Sequence, residues 1–571
     1  MAHFGIDLGT SNTLVAKLNA AKEPVIVHTD EGKMLPSAIY IGPSGDQKII
    51  GKQALNSWAN PSCDPARSFL SWKPAVGEDK VLARLPCGQD LVEITPEYLT
   101  TLLMEHIIGQ LTAGDLGSES IESVLITMPH GWRRRNPKKC DAIRRAVERA
   151  ISPRNITLQP HVVSEPIAAA AYWIWEARKK GLESKLQGNT VLVCDVGGGT
   201  FDLSLVQVGN EHRSLDVVDA TNNDIAGDYV DALLLAHVCQ KFNEQHHTNY
   251  PTTAESVLQA LPDSPLLRQW YITVRDLKRE LSDNIRRYPS PLPSQRAFIG
   301  DTVNSKMIIK LESEDFISCL QPFYAASRKL IQEFLNRNQN RLPAAVLLAG
   351  GGSRVAGLRE HVLIPALKGF YPDEATVLSV IDRIPVNQIR TDEVIALGAA
   401  LIANGVISVQ ERLLNDIGLI LTIEYHGLAS KLGLFNEQAK QVLITPILRK
   451  GAPLPAVFKG ADLVGVTSLI TRGEILELEL VVDESTSHPW IQRHEIRHPG
   501  SEQGTMKVDW EISADVDGRL KLRLKPEKGK PVEIEGRWER GDTGRLVIAG
   551  GPSLPRITPE QLRQAAWQQA A

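Results

Sequence analysis

The feature that most constrains the fold is a β-hairpin pattern that occurs twice. Residues 191–206 read VLVCDVGGGTFDLSLV, which predicts an apolar strand, a glycine turn and a second strand. Asp195 falls at the end of the first strand, and the glycines have no Cβ, so their backbone N–H groups can approach an anion closely. Residues 4–18, FGIDLGTSNTLVAKL, repeat the design with Asp7 before the turn. We therefore expect two related halves that grip one phosphate chain from opposite sides.

A third segment has the pattern of a nucleotide site. Residues 344–362, AAVLLAGGGSRVAGLREHV, predict a buried strand, a glycine turn and then a helix. The chain has 571 residues, and a single core stops growing at about 250–300 residues, so several domains are expected.

With these three motifs the chain resembles the Hsp70 family of ATP-driven chaperones, within the wider superfamily of actin and the sugar kinases. Residues 7–12 resemble the family's first phosphate motif, residues 195–202 its second, and residues 348–354 its adenosine motif. Residues 162–173 (VVSEPIAAAAYW) and 391–407 (TDEVIALGAALIANGVI) resemble its two connecting motifs. The five matches occur in the family's order and at compatible spacing.

The resemblance implies a two-lobed α/β actin-like (ribonuclease H-like) ATPase domain over residues 1–407. It further implies an interdomain linker at 408–418, a β-sandwich substrate-binding-like domain at 419–555 and a short C-terminal helix at 556–571. Short alternating strands after the linker agree with the sandwich. Residues 413–417 resemble the family's leucine-rich linker, with a plain buried strand start as the alternative. The family's long helical lid is missing from the pattern, so faster client exchange is expected.

The reaction that the resemblance implies is in-line attack of water on the γ-phosphoryl group of ATP, which depends on positioning and charge stabilisation. Asp7, Asp195 and Glu165 are the implied holders of a hydrated Mg²⁺, which prefers oxygen ligands. Lys73, with Gly77, resembles the family's Lys-x-x-x-Gly and would neutralise charge at the γ-phosphate; an ordinary surface lysine is the alternative. Glu165 and Asp195 would orient the attacking water.

The resemblance also assigns roles around the two turns. Thr200 would offer a hydroxyl to the phosphates, and Asp202 would tune catalysis and the binding of ions, K⁺ as well as Mg²⁺. A turn-capping residue is the alternative for Asp202. The other implied phosphate contacts are Gly9, Thr10, Ser11, Asn12, Gly197, Gly198 and Gly199.

The adenosine would be held by a separate set, in which a lysine bonds the ribose and arginines stack on the base. Two departures from the family pattern suggest a rearranged contact: Arg275 replaces a glutamate, and Gly352 replaces the first serine of the turn. The implied residues are Gly227, Lys278, Arg279, Ser282, Gly350, Gly351, Gly352, Ser353, Arg354 and Asp392.

Expected partners are unfolded or extended polypeptide clients, a nucleotide exchange factor and a J-domain co-chaperone, although His161 stands where the family has the arginine that meets J-domains. A monomer is expected. The alternative function is a nucleotide-gated interaction scaffold or regulatory switch with one dedicated protein partner and little turnover. A sugar kinase is a third possibility, which the linker and the β region disfavour.

Composition excludes some partners and favours the cytoplasm. The net charge of −4 and the scarcity of aromatics in the basic segment 130–150, which has Trp132 but no Tyr or Phe, disfavour nucleic acid, so this segment is predicted to be a surface helix with Ala142, Val147 and Ala150 inward. The six cysteines are scattered, which favours reduced thiols. No apolar run approaches the roughly 18 residues of a membrane span, so no membrane partner is expected.

One motif points to different chemistry. Residues 494–498, HEIRH, match the zinc-protease signature, which requires both histidines on one face of a helix. Pro489 and Pro499 flank the motif and its neighbours alternate as in strands, so we expect a loop between strands instead.

Overall fold

The computed structural model describes residues 2–409 except 89, 113–120, 136, 160–162, 210–214, 288–295, 302–305 and 384–390; beyond residue 409 it describes nine strands between residues 416 and 536, and Pro531. The chain divides into two compact units, one of residues 1–132 and 138–409, the other of residues 133–137 and 410–571.

The strands of the first unit are β1 (Ala2–Leu8), β2 (Asn12–Leu18), β3 (Pro24–Ile26), β4 (Leu35–Pro36), β5 (Ala38–Ile41), β6 (Lys48–Ile50), β7 (Ser68–Leu70), β8 (Ala83–Cys87), β9 (Asp90–Ile94), β10 (Ile121–Met128), β11 (Thr157–Leu158), β12 (Val163–Ser164), β13 (Thr190–Val196), β14 (Phe201–Val208), β15 (Leu215–Asn223), β16 (Arg296–Asp301), β17 (Lys306–Leu311) and β18 (Ala345–Ala349).

The helices between residues 52 and 403 are α1 (Lys52–Ala59), α2 (Pro96–Thr112), α3 (His130–Arg135), α4 (Pro137–Ile151), α5 (Glu165–Lys179), α6 (Gly227–His246), α7 (Ala254–Ala260), α8 (Pro265–Arg287), α9 (Ser313–Cys319), α10 (Gln321–Arg337), α11 (Ile364–Leu367), α12 (Glu374–Ile381) and α13 (Val394–Ala403).

The two aspartate-led hairpins occupy equivalent positions in two similar sheets. In the first sheet β1 is antiparallel to β2 and parallel to β10, in the order β11-β10-β1-β2-β3, with β12 on β10 and β4 on β2. In the second sheet β13 is antiparallel to β14 and parallel to β18, in the order β15-β14-β13-β18. Asp7 and Asp195 are each the last but one residue of their strand. The structure therefore repeats one arrangement around each carboxylate.

Side-chain alternation along β13 places this sheet between two layers of helices. Val191 and Val193 belong to a buried core that includes α5, α13 and residues of the first sheet, whereas Leu192 and Cys194 belong to a core with α6, α8 and α10. A third core joins the other face of the first sheet to α2 and α4. Helices α5 and α13 thus pack between the two sheets.

Two glycines allow the central helices to pack closely. A Cβ on Gly398 of α13 would lie 1.8 Å from the carbonyl oxygen of Ala168 in α5. A Cβ on Gly5 of β1 would lie 2.3 Å from the backbone nitrogen of Ala400 in α13. Neither contact leaves room for a side chain, so both positions require glycine.

The strands described in the second unit form two antiparallel sheets. One has the order β20-β19-β23-β24; the other has the order β21-β25-β26-β27, with β22 on β25. The helix expected over 556–571 and linker residues 410–415 lie outside the described residues. The strands are β19 (Asp416–Ile423), β20 (Gln441–Leu448), β21 (Ala456–Lys459), β22 (Leu469–Arg472), β23 (Ile475–Asp483), β24 (Trp490–Arg497), β25 (Thr505–Ala514), β26 (Leu520–Pro526) and β27 (Val532–Gly536).

The structure corrects the expectation for HEIRH. His494 and Glu495 lie within β24, where His494 pairs with Leu478 of β23. A strand points successive side chains to opposite faces, so it cannot present the helical zinc signature. The expected loop is also wrong, because the antiparallel pairing with β23 runs through this segment up to Arg497 despite the nearby prolines. His498 lies outside the described residues.

The basic segment forms α3 and α4, and Ala142, Val147 and Ala150 are fully buried, which confirms the predicted inward face. Among the described residues, no helix combines the length and the apolar character that crossing a membrane requires.

Candidate functional site

A cavity in the first unit is lined by residues of both hairpins, of α6 and α8, and of the turn after β18. It brings together nearly all the predicted site residues, although they come from segments hundreds of positions apart. Only two of them, Gly199 and Ser353, are missing from its lining. Asp228, Arg275 and Asp283 also line it.

The turn of the first hairpin is held from outside by Ser37. The Ser37 hydroxyl donates to the carbonyl of Gly9 at 2.8 Å, and the Ser37 backbone N–H donates to the carbonyl of Ser11 at 3.0 Å. The Thr13 hydroxyl lies 3.0 Å from the Ser37 hydroxyl. A Cβ on Gly9 would lie 2.1 Å from the carbonyl oxygen of Asn12, so the turn also requires glycine there.

The turn of the second hairpin is held by backbone hydrogen bonds. The Gly197 N–H donates to the carbonyl of Thr200 at 2.9 Å and closes the turn. At the start of α6, the Gly227 N–H donates to the carbonyl of Gly197 at 3.1 Å, and the Asp228 N–H donates to the carbonyl of Gly198 at 2.7 Å. The N-terminus of α6 therefore braces this turn.

The two turns approach each other at one point. A Cβ on Gly198 would lie 1.9 Å from the hydroxyl oxygen of Ser11, a distance that no real Cβ contact allows. A Cβ on Gly199 would instead meet the Thr10 methyl at 3.7 Å, an ordinary contact. The absence of a side chain at Gly198 is what lets the hairpins come this close.

Lys73 and Glu165 form a buried ion pair at the centre of the site. Lys73 Nζ lies 2.7 Å from Glu165 Oε1, and the two residues are 7% and 8% exposed. The alternative of an ordinary surface lysine is therefore wrong. Burial opposes the charge of Lys73, but the carboxylates of Glu165, Asp7 and Asp195 outweigh burial and raise its pKa.

The neighbouring carboxyls are held in an environment that disfavours their charge. Burial, followed by the charge of Glu165, raises the pKa of Asp7 to about 7. Burial, followed by the charges of Glu165, Asp202 and Asp7, raises the pKa of Asp195 well above its usual range. Burial raises the pKa of Asp202 to about 6, against a 2.6 Å hydrogen bond from the Thr200 hydroxyl. The site therefore holds more buried acidic groups than Lys73 alone can neutralise.

This donor set fits a hydrated divalent cation. Its groups are carboxylate and hydroxyl oxygens, which Mg²⁺ prefers, and the acidic excess favours a bound cation. Among the described residues, however, no three His, Cys, Asp or Glu side chains come close enough together to hold one ion. Mg²⁺ keeps several waters and needs only one or two carboxylates, so Asp7, Asp195 and Glu165 fit an ion held partly through water rather than by all three directly.

On the side of the cavity formed by α8, the buried carboxylate of Asp231 pairs with two positively charged side chains. Asp231 is 1% exposed; its Oδ1 lies 2.7 Å from Lys278 Nζ, and its Oδ2 lies 3.8 Å from Arg275 Nε. Lys278 also donates to the carbonyl of Gly227 at 3.2 Å. Arg275, which departs from the family pattern, thus shares the same carboxylate as Lys278.

The turn after β18 is a 3₁₀ helix over Gly351–Arg354. Arg354 points two nitrogens at carboxylates, Asp283 at 3.0 Å and Asp392 at 3.6 Å. Ser353 Oγ lies 2.7 Å from both the Gly350 carbonyl and the Thr391 hydroxyl, so Ser353 braces the turn rather than facing the cavity.

The glycines of this turn also make close contacts. Gly350 has φ +77°, and a Cβ there would lie 2.4 Å from Asp195 Oδ1. A Cβ on Gly352 would lie 2.6 Å from a methyl of Val196. A serine at Gly352, as in the family pattern, would therefore collide with the second hairpin.

Ser282 and Arg279, two residues of α8 predicted to contact the adenosine, differ in their exposure to solvent. Ser282 is 3% exposed, and its hydroxyl accepts from the Ala356 N–H at 3.3 Å. The Arg279 side chain is 51% exposed and lines the cavity, with Asp276 at 3.9 Å. Arg279 is thus the more accessible of the two.

Sequence reasoning missed several residues of the site. Asp283 lies four residues after Arg279 on α8, so helical spacing could have suggested it, and Asp228 directly follows the predicted Gly227 in the sequence. Thr391 opens the predicted connecting motif 391–407, but its contact with Ser353 gives no local signal, because the two residues are 38 positions apart.

A family model for the Hsp70 protein matches residues 3–437, and the chain belongs to the Hsp70 family. It is 26% identical to chaperone protein dnaK1 of Parasynechococcus marenigrum, over 72% of this chain and 58% of that protein. It is 27% identical to chaperone protein DnaK 3 of a Synechococcus species, over 74% of this chain and 61% of that protein. Similarity to chaperone protein DnaK of Halobacterium salinarum, at 26% identity, covers 99% of this chain and 77% of that protein. The chain therefore spans only 58% and 61% of the first two relatives.

Proposed function

We propose that this protein is an ATP-dependent molecular chaperone that hydrolyses ATP to control the binding and release of polypeptide clients. Membership of the Hsp70 family and the chaperone names of the relatives support this function. The single observation that carries it is the buried Lys73–Glu165 pair beside Asp7 and Asp195, in a cavity that both glycine turns line. Such a centre suits phosphoryl transfer to water.

The glycine turns are the proposed phosphate cradle. Backbone N–H groups of Gly197, Gly198 and Gly199 would donate to the phosphates, and the hydroxyls of Thr10, Ser11 and Thr200 would complete the set with Gly9 and Asn12. Ser37 and the start of α6 hold the two turns in place without occupying the cavity.

The buried centre of Lys73, Glu165, Asp7 and Asp195 is proposed to bind Mg²⁺ and to neutralise charge at the γ-phosphate. Bound Mg²⁺ would neutralise phosphate charge and hold the phosphates in a fixed geometry. Asp7, Asp195 and Glu165 would hold the hydrated ion, and Lys73 would donate to the γ-phosphate. Glu165 and Asp195 would accept hydrogen bonds from the attacking water and so orient it. Asp202, whose carboxylate accepts from Thr200, would tune this centre and offer oxygen to K⁺.

The adenosine is proposed to lie between α8 and the turn after β18. The exposed side of Arg279 and the guanidinium of Arg354 would stack on the base. Lys278 would reach the ribose while it remains paired with Asp231. The remaining contacts proposed here are Gly227, Ser282, Gly350, Gly351, Gly352 and Asp392, with Ser353 supporting the turn.

We propose that residues 1–407 form a two-lobed actin-like ATPase domain whose lobes carry one hairpin each. Residues 408–418 would be the linker, 419–555 a β-sandwich that grips extended apolar polypeptide, and 556–571 a short helix. The two antiparallel sheets of β19–β27 support the sandwich. The linker can respond to the bound nucleotide only if it has two arrangements. ATP and ADP must then differ in their affinity for the two corresponding states of the protein.

The proposed partners are polypeptide clients, a nucleotide exchange factor and a J-domain co-chaperone acting on a monomer. His161, the departure from the J-domain pattern, lies outside the described residues. The cytoplasm is the proposed location, and the six cysteines, none of which forms a disulfide in the described part of the chain, fit a reducing compartment.

The test is γ-phosphate release from ATP by the full chain, with and without an unfolded apolar peptide. We expect Lys73→Ala to lower turnover about 100-fold, because a buried positive charge at the reacting group is lost. Lys179→Ala is the matched control, since Lys179 pairs with Glu23 on the surface at 2.7 Å. Wild-type turnover should rise with peptide. Turnover that neither Lys73→Ala nor peptide changes would contradict the chaperone function and favour a scaffold with little turnover.

A further inference from the structure

Trp132, in α3, contacts the buried ion pair through its aromatic ring. Lys73 Nζ lies over this ring, 5.6 Å from its centroid, while the same ammonium lies 2.7 Å from Glu165 Oε1. A second ammonium, that of Lys139 in α4, lies 5.4 Å from the same centroid. One half-buried indole therefore faces two lysines, one of which lines the cavity.

The turn that carries Lys73 is fixed to the same helices. Lys73 begins a 3₁₀ helix of Lys73–Ala75, and the Lys139 ammonium donates to the carbonyl of Pro74. Gly77 has φ +79°, and a Cβ there would lie 2.7 Å from Lys139 Cα, so the end of the turn packs directly on α4. The backbone below Lys73 is thus held, and Trp132 acts on its side chain.

The Glu165 carboxylate by itself does not define where the Lys73 ammonium lies. An ammonium on a flexible four-carbon stem can rotate around a single carboxylate partner. An indole face attracts the ammonium without accepting its proton and without adding a competing carboxylate to a centre already rich in acids. The ring therefore restricts the ammonium to one side of Glu165.

We propose that Trp132 is a positioning residue for the reaction: it holds the Lys73 ammonium in the orientation that meets the γ-phosphate. This inference rests on the proposed ATPase function. Removing the aromatic face should lower the rate of the chemical step about 3- to 30-fold, or about 0.7–2 kcal/mol at 1.36 kcal/mol per tenfold change, while nucleotide affinity stays nearly constant.

The experiment compares Trp132→Leu, which keeps an apolar group but removes the ring, with Trp132→Phe, which keeps a weaker aromatic face. Single-turnover hydrolysis and the Kd for ATP are measured for each variant. We expect a slower chemical step in Trp132→Leu at unchanged Kd, and substantial recovery in Trp132→Phe. A purely structural role would instead lower Tm and leave Phe and Leu equally impaired or equally active.

Trp175→Leu is the matched control. Trp175 also carries a lysine over its ring, Lys179 at 4.6 Å, but it is not part of the cavity lining. This variant should hydrolyse ATP at the wild-type rate.

A second readout does not depend on hydrolysis. Acetic anhydride labelling of Lys73, followed by peptide mass spectrometry, should be at least about threefold faster in Trp132→Leu than in wild type or Trp175→Leu, because the ammonium loses a neighbour worth roughly 1 kcal/mol. If wild type fails to split ATP yet the labelling changes as expected, the proposed function fails and the positioning of Lys73 stands. If wild type splits ATP while Trp132→Leu matches it in both rate and labelling, the inference is overturned.

Discussion

The two aspartate-led hairpins share one geometry but are held in place by different means. In both, the carboxylate sits next to the end of a strand that has an antiparallel partner on one side and a parallel partner on the other. The first turn depends on the side chain of Ser37, whereas backbone bonds and the start of α6 hold the second. The register partners also differ, because Leu14 lies opposite Asp7 but Asp202 lies opposite Asp195.

This difference predicts that the two hairpins contribute unequally to catalysis and to nucleotide binding. The second hairpin carries two carboxyls and a turn made rigid by main-chain bonds, so its electrostatic centre does not depend on a remote side chain. The first hairpin carries one carboxyl, and its turn is held by both the hydroxyl and the backbone N–H of Ser37. Substitution of a carboxyl in the second hairpin should therefore act most strongly on catalysis, whereas a change in the packing of either turn should act more on nucleotide affinity.

The largest effect is expected from the two strand-end carboxylates. Asp195→Asn should lower turnover about 100-fold and Asp7→Asn about 10-fold, because Asp195 is proposed both to hold Mg²⁺ and to orient the water. The measurement is kcat at saturating ATP over a range of Mg²⁺ concentrations. Equal losses in the two variants would remove the asymmetry between the hairpins, and unchanged turnover in Asp195→Asn would refute its role.

The next effect tests the point where the turns meet. Gly198→Ala places a Cβ where Ser11 Oγ already lies, and overpacking of about 1–3 kcal/mol should weaken ATP binding roughly 5- to 150-fold. Gly369→Ala is the control from outside the cavity, because a Cβ there would have no heavy atom within 4 Å, and it should change affinity less than about twofold. Calorimetric titration with ATP and Mg²⁺ measures both. Similar affinities in the two variants would mean that the hairpins can separate without cost.

Much of this site was predictable from sequence because its signals are local. A strand-end aspartate followed by glycines identifies each hairpin without knowledge of its neighbours, and Glu165 precedes Pro166 at a helix start. The pairing of Trp132 with Lys73 gives no such signal, since 59 positions of chain separate residues that only the fold brings together. The HEIRH loop expectation was wrong for the same reason, because pairing with β23 decides the state of that segment.

The smallest effect concerns the brace of the first turn. Ser37→Ala removes the donor to the Gly9 carbonyl, and a net hydrogen bond of about 0.5–1.5 kcal/mol predicts ATP binding weaker by roughly 2- to 10-fold with kcat nearly unchanged. Ser57→Ala is matched to it, because the Ser57 hydroxyl also donates to a backbone carbonyl, that of Gln53, in a solvent-exposed bond within α1. A fall in kcat without a change in affinity would contradict the prediction that the packing of the first turn acts on ATP binding.

Both hairpins are proposed to bind one Mg²⁺-bound triphosphate, and the other proposals for this site depend on that arrangement. A crystal structure of the protein with a non-hydrolysable ATP analogue and Mg²⁺ tests it most directly. Phosphate oxygens should lie within hydrogen-bond distance of the Thr10–Asn12 turn and of the Gly197–Thr200 turn, with Lys73 Nζ on the γ-phosphate. Phosphates bound to only one of the turns, or outside the cavity, would contradict it.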